Sequence, residues 1–129
     1  MTSYIADCDA IAACIHQYTD GLRAGNSALA KPAFHEACTF FGYFQGQLLA
    51  GPVQMLFDWV DGNGPVAGLE VRITSTGIHQ TIAVFRVELE NLSGKFGGTP
   101  GGTLSDLFQL IKVDGRWLIS QKSFHWYAT

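Results

Sequence analysis

The chain has 129 residues, 47% hydrophobic, 12% aromatic and 15% charged, with a net charge of -3. That length fits one domain with a real core. The lack of a Lys/Arg stripe argues against a nucleic-acid partner, whose phosphates require one. No apolar run approaches the ~20 residues that span a bilayer, and Met1–Asp7 lacks the basic and apolar regions of a secretory signal, so no membrane partner is expected. Charge content is well below the usual ~25%, which predicts apolar surface hidden in a pocket or between subunits. Cys8, Cys14 and Cys38 are odd in number and lack metal spacing, which points to a reduced, cytoplasmic protein.

In chain order, Tyr4, Cys8, Ile11, Ile15, Tyr18 and Leu22 recur at steps of 4, 3, 4, 3 and 4, the apolar stripe of a first helix. Ser3 is placed to cap it, Asp7 and Asp9 suit its first turns, and Gly25 is placed to end it. Asn26 or Ser27 caps a second helix to Ala33, kept short or distorted by Pro32. Residues 38–50 read as a hairpin turning at Gln45-Gly46. Gly51-Pro52 then opens a third helix with the stripe Val53, Leu56, Phe57 and Val60. Asp61–Pro65 is a loop by composition. Leu69–Ile78 and Thr81–Leu92 alternate as strands joined near His79-Gln80. Ser93–Gly102 is a glycine-rich connector, with a pocket lid as the other reading.

Asp114-Gly115 between β-branched and aromatic runs is a strong hairpin signal, and it joins the last two strands. The order α-α-β-β-α-β-β-β-β defines an α+β fold, with three helices against a curved antiparallel sheet of six strands. The half of the last hairpin far from its turn carries Asp106, Gln121, Lys122 and His125, which suggests a pocket mouth.

Several segments then carry a resemblance: Phe34-His35-Glu36-Ala37, Gly46-x-Leu48, Gly51-Pro52, Asp106-Leu107-Phe108, Asp114-Gly115-Arg116-Trp117 and Lys122-Ser123-Phe124-His125. Over nearly its whole length the chain resembles the nuclear transport factor 2-like (SnoaL-like) superfamily, and within it the "putative lumazine-binding" branch. The resemblance implies a cone-shaped curved sheet, a pocket between sheet and helices, and a homodimer. The superfamily includes isomerases, cyclases, dehydratases and non-catalytic modules, so fold alone selects no reaction. Where isomerase relatives carry a catalytic Asp, this chain has Phe40 or Phe41, which cannot abstract a proton.

Asp106 interrupts a strand-like run and is the leading acid–base candidate, with a surface or ion-paired carboxylate as the bland alternative. His125 is its proposed partner, having an ordinary pKa of ~6.5. A two-residue turn at Asp114-Gly115 sets His125 diagonal to Asp106 on one face, roughly 7–8 Å away. A three-residue turn with a bulge at Gly115 sets Asp106 opposite Lys122 and moves His125 to the other face. His35 falls near the pocket rim. Tyr18 and Tyr43 are candidate donors to a ligand oxygen, and Phe41 and Trp59 are candidate aromatic walls. Plain core packing is the alternative for all four. The four histidines show no metal spacing, and no cofactor motif occurs.

Two function classes follow. One is a pocket for a small apolar or aromatic ligand, with an isomerase-, cyclase- or dehydratase-type acid–base pair. The other is a dimerisation or interaction module with a vestigial pocket. Leu118, Phe124 and Trp126 are expected on an outer sheet face that forms the homodimer.

Overall fold

The computed structural model describes residues 3–92 and 102–127. Helix α1 spans Tyr4–Ala24, α2 spans Ser27–Ala30 and runs into a 3-10 turn over Lys31–Ala33, and α3 spans Gln54–Asn63. The strands are β1 (Phe34–Phe44), β2 (Gln47–Pro52), β3 (Glu70–His79), β4 (Ile82–Leu92), β5 (Gly102–Val113) and β6 (Arg116–Tyr127). They form one open, curved sheet in the order β2-β1-β6-β5-β4-β3. The connector Ser93–Gly102, Gly102 apart, lies outside the described residues.

Helix α1 begins and ends as its sequence predicts. Ser3 Oγ accepts from the Ala6 N–H, and Gly25 adopts φ 65, where its N–H reaches the last-turn carbonyls. Ile11, Ile15, Tyr18 and Leu22 are buried, each contributing roughly 1.5–3 kcal/mol by apolar transfer. The first turn departs from the predicted stripe, because Tyr4 is exposed and Asp7 is buried in its place. Trp117 Nε1 donates to Asp7 Oδ1 at 3.0 Å, and Lys112 Nζ lies 3.2 Å away. The Trp117 hydrogen bond, with help from Lys112, holds this carboxyl below the ordinary range. Asp7 therefore clamps the start of α1 to the turn end of the last hairpin.

Pro32 sits in the 3-10 turn, consistent with a distorted second helix. Helix α3 runs through Asn63, into the segment expected as loop. Its Asp61 accepts the Ser27 N–H at 2.8 Å and the Ser27 hydroxyl at 2.7 Å, which ties α3 to α2. Strand β1 starts four residues earlier than predicted, at Phe34.

The α+β architecture stands, with one departure from a wholly antiparallel sheet. Strands β1 and β6 pair in parallel, while every other neighbouring pair is antiparallel. The two strands are far apart in the chain and no hairpin joins them, so nothing forces them to run in opposite directions. The helices cover one face of the sheet. Buried and exposed residues alternate along β4 and β5, which places Phe85, Val87, Leu89, Leu104, Phe108 and Leu110 against the helices.

Candidate functional site

The hairpin register decides the site. Asp114 and Gly115 form a two-residue turn with φ of 51 and 78, pairing Val113 with Arg116. Four pairs later the register changes: Leu110 pairs with Ile119, but Gln109 pairs with Gln121. Ser120 is the extra residue of a β-bulge, and its hydroxyl donates to the Gln109 carbonyl at 3.1 Å. Before the bulge Trp117 and Ile119 point to the helices. After it Lys122 and Trp126 do so, and His125 is turned out to solvent. The observed pairing is neither of the two simple alternatives. Asp106 stands opposite Phe124, with Lys122 one pleat away on the same face.

This placement corrects the predicted acid–base pair. Asp106 and His125 lie on opposite faces of the sheet and do not meet. His125 pairs with Ser105 and packs edge-on against Tyr127, at 4.8 Å between ring centroids. Phe124 and Trp126, expected on the outer face, are on the inner one for the same reason.

Between sheet, α1 and α3 lies a cavity of about 170 Å³ lined by Tyr18, Leu22, Phe40, Phe44, Leu49, Met55, Leu56, Trp59, Leu92, Leu104, Lys122 and Phe124. Of these lining residues only Lys122 is charged. Gly42 shapes one wall, because a Cβ there would collide with the Phe124 carbonyl and ring. With Gly42 in place Phe124 stacks on Phe40 at 5.7 Å. Met55 is 40% exposed, which puts it at the cavity's rim.

The Lys122 ammonium is held among aromatics, 5.3 Å from the Tyr18 ring centroid and 4.8 Å from that of Phe124. Its Nζ lies 3.5 Å from Asp106 Oδ1, and both side chains are almost wholly buried. Among the described residues no donor forms a well-aligned hydrogen bond to either Asp106 oxygen. Burial pushes the Asp106 carboxyl up to about 6, against the pull of the Lys122 charge. Burial works against the Lys122 ammonium too, but Asp106 and Tyr18 outweigh it and hold its pKa above the ordinary value. Burial also pushes the Tyr18 hydroxyl and the Cys38 thiol up to about 12, so both stay neutral.

Tyr18, Trp59 and Lys122 thus line the cavity, and Asp106 backs Lys122 from behind. Phe41 and Tyr43 do not line it: both are about half exposed on the outer face, while their neighbours Phe40 and Phe44 take the inner positions. The alternation was legible in β1, but its phase was not. His35 is half-buried in a surface groove with Lys31 and Phe57, away from the cavity, and its Nδ1 accepts the Ala37 N–H at 2.9 Å. Leu104, Met55 and Leu49 are cavity residues that carried no signal beyond apolar periodicity.

Fold and site together define a small α+β domain with a lysine-floored apolar pocket. Residues 6–125 match the family described as "putative lumazine-binding", and the chain belongs to it. A nuclear transport factor 2-like protein of unknown function from Methylobacillus flagellatus KT is 35% identical, with a TM-score of 0.88 over 98% of this chain and 97% of its own. A second such structure, from Shewanella baltica OS155, is 29% identical with a TM-score of 0.89 over the full length of both chains. A relative named aldolase FrzH, from a Cladobotryum species, is 28% identical over 92% of this chain and 90% of its own.

Proposed function

We propose that this domain binds a small, ring-bearing molecule and acts on a carbonyl group within it. The observation that carries the reading is the single cation, Lys122, in the buried wall of an otherwise apolar cavity. The ligand's rings pack on Phe40, Phe44, Trp59 and Phe124, and its oxygen meets the Lys122 ammonium. A fixed ammonium there stabilises negative charge growing on that oxygen while solvent water or hydroxide at the cavity rim takes the neighbouring C–H proton, the step of enolate formation. The aldolase-named relative supports this class of reaction without fixing the substrate. Asp106 acts here as a positioning residue that keeps Lys122 charged, and Tyr18 is a second donor beside it. This reading replaces the Asp106–His125 pair as the seat of chemistry.

The test uses 2-acetylnaphthalene as probe. Saturable quenching of tryptophan fluorescence is expected, weakened at least tenfold in Lys122→Met. Exchange of the probe's methyl hydrogens in D2O, followed by NMR, is expected to run faster with the protein than in buffer. Binding without faster exchange would favour a non-catalytic binding module, and no binding at all would remove the pocket reading.

Assembly is proposed as a homodimer through the outer sheet face. Ile82, Val84, Leu107 and Ile111 are exposed there on adjacent strands β4 and β5. Light scattering at micromolar concentration should give twice the chain mass, and the monomer mass would reject the dimer. The three free cysteines fit a cytoplasmic setting.

A further inference from the structure

Among the described residues only Asp106 has buried side-chain oxygens without a hydrogen-bond partner. It is fully buried, faces the one ammonium of the cavity at 3.5 Å, and has no well-aligned hydrogen-bond donor among the described residues. In the free protein the pair carries no net charge. A neutral ligand leaves that balance alone. An anionic ligand group seated on Lys122 would leave two negative charges around one ammonium, beside the apolar walls of Phe40, Phe124 and Leu104 and the ring of Tyr18. Such an excess is costly away from water, so the site must take up a proton to accept it.

Among the described residues few groups are placed to take it. From α1 the cluster is faced by Tyr18 and from β1 by Cys38, both already neutral. From β4 Glu88 contributes a negative charge, but its carboxylate is engaged by Arg86 and Ser105 on the outer side. From β6 Lys122 is already protonated, and His125 faces away. Asp106 remains.

Resting on the pocket reading above, we infer that the group seated on Lys122 is an oxygen acid in its ionised form, a carboxylate, enolate or phenolate, and that it enters together with one proton, which comes to rest on Asp106. The ligand keeps its negative charge and its contact with Lys122. The proton comes from solvent and forms the O–H bond of the Asp106 carboxylic acid, and no other bond changes. The cavity then selects flat, apolar acids and holds them more tightly as the pH falls.

The experiment compares 2-naphthoate with its neutral counterpart 2-naphthamide on the whole chain. Titration calorimetry in buffers of different ionisation enthalpy counts the protons taken up at pH 7. In the same protein, labelled with 13C at its aspartates, the Asp106 carboxyl signal reports its protonation. For 2-naphthoate we expect close to one proton taken up, the Asp106 signal moving to its protonated position, and affinity rising by up to tenfold per pH unit from pH 8 towards 6. For 2-naphthamide we expect none of these. Binding of 2-naphthoate without proton uptake overturns the inference. So does uptake that leaves Asp106 ionised, since the ligand itself would then carry the proton. If 2-naphthamide binds and 2-naphthoate does not, the inference falls and the pocket reading stands. If neither binds, both fall.

Discussion

The two faces of the β5–β6 hairpin carry similar residues to opposite ends. On the outer face Glu88, from the neighbouring strand, accepts from Arg86 Nε at 2.9 Å and from the Ser105 hydroxyl at 2.8 Å, and Ser105 also meets the Tyr127 hydroxyl at 3.2 Å. That cluster is partly in water and well bonded. On the inner face Asp106 and Lys122 are buried, 3.5 Å apart and poorly aligned. An exposed, satisfied cluster has little left to offer a ligand. A buried pair with unused hydrogen-bonding capacity interacts with whatever enters beside it, because the surroundings screen it weakly. Exposure and satisfaction, rather than residue type, separate the two.

The sharpest way to break this contrast is to shift the phase of β6 beyond its bulge. One alanine inserted between Gln121 and Lys122 turns Lys122 outward and His125 inward, whereas deleting Ser120 keeps both on their present faces, because Gln109–Gln121 and Phe108–Lys122 then follow Leu110–Ile119 without a break. For the insertion we expect a loss on the order of 5 kcal/mol or outright failure to fold, read by urea denaturation. An insertion variant that folds with native stability would show that the phase of this half-strand does not set the inner face.

Next in size is the pair itself. Lys122→Met leaves the Asp106 carboxylate buried without its cation and should cost roughly 3–5 kcal/mol at neutral pH. The double variant Asp106→Leu with Lys122→Met should recover most of that loss, since a well-packed apolar pair avoids burying charge. No recovery would mean that Lys122 stabilises the fold through its aromatic contacts instead.

The pH dependence sharpens the comparison further. The Asp106 pKa is raised from 3.8 in the unfolded chain to about 6 in the fold, so the native state binds the extra proton between those values. Its contribution is full below 3.8 and lost as the pH rises through 6. The whole effect is worth about 3 kcal/mol, roughly half of it regained by pH 5. Asp7 works in the opposite direction, since its lowered pKa gives stability that is lost on acidification. Subtracting the Asp106→Asn profile isolates the Asp106 part, and a flat difference would contradict its raised pKa.

The smallest effect belongs to the outer face. Glu88→Gln should cost under about 1 kcal/mol, because solvent screens its pair with Arg86. A loss as large as that of Lys122→Met would erase the distinction between the faces.

Local pattern determined a good deal by itself. The 3.6-residue period of α1, its Ser3 and Gly25 ends, the turns at Gln45-Gly46 and Asp114-Gly115, and the alternation along β4 and β5 are all encoded by neighbours in the chain. They were enough to give the α+β class, and Asp106 could be singled out because a carboxylate is unusual in a strand. Tertiary structure alone decided which way the far half of the hairpin faces. Trp117 and Ile119 must pack on the helix side, and so must Lys122 and Trp126. One strand satisfies both sets only by inserting Ser120 as a bulge. The same holds for Phe40 over Phe41, for the buried Asp7 clamp, and for the parallel pairing of β1 with β6. Alternation has a period of two and carries no absolute phase, so a single inserted residue reverses every side chain beyond it. Only the packing of distant segments against one another fixes that phase.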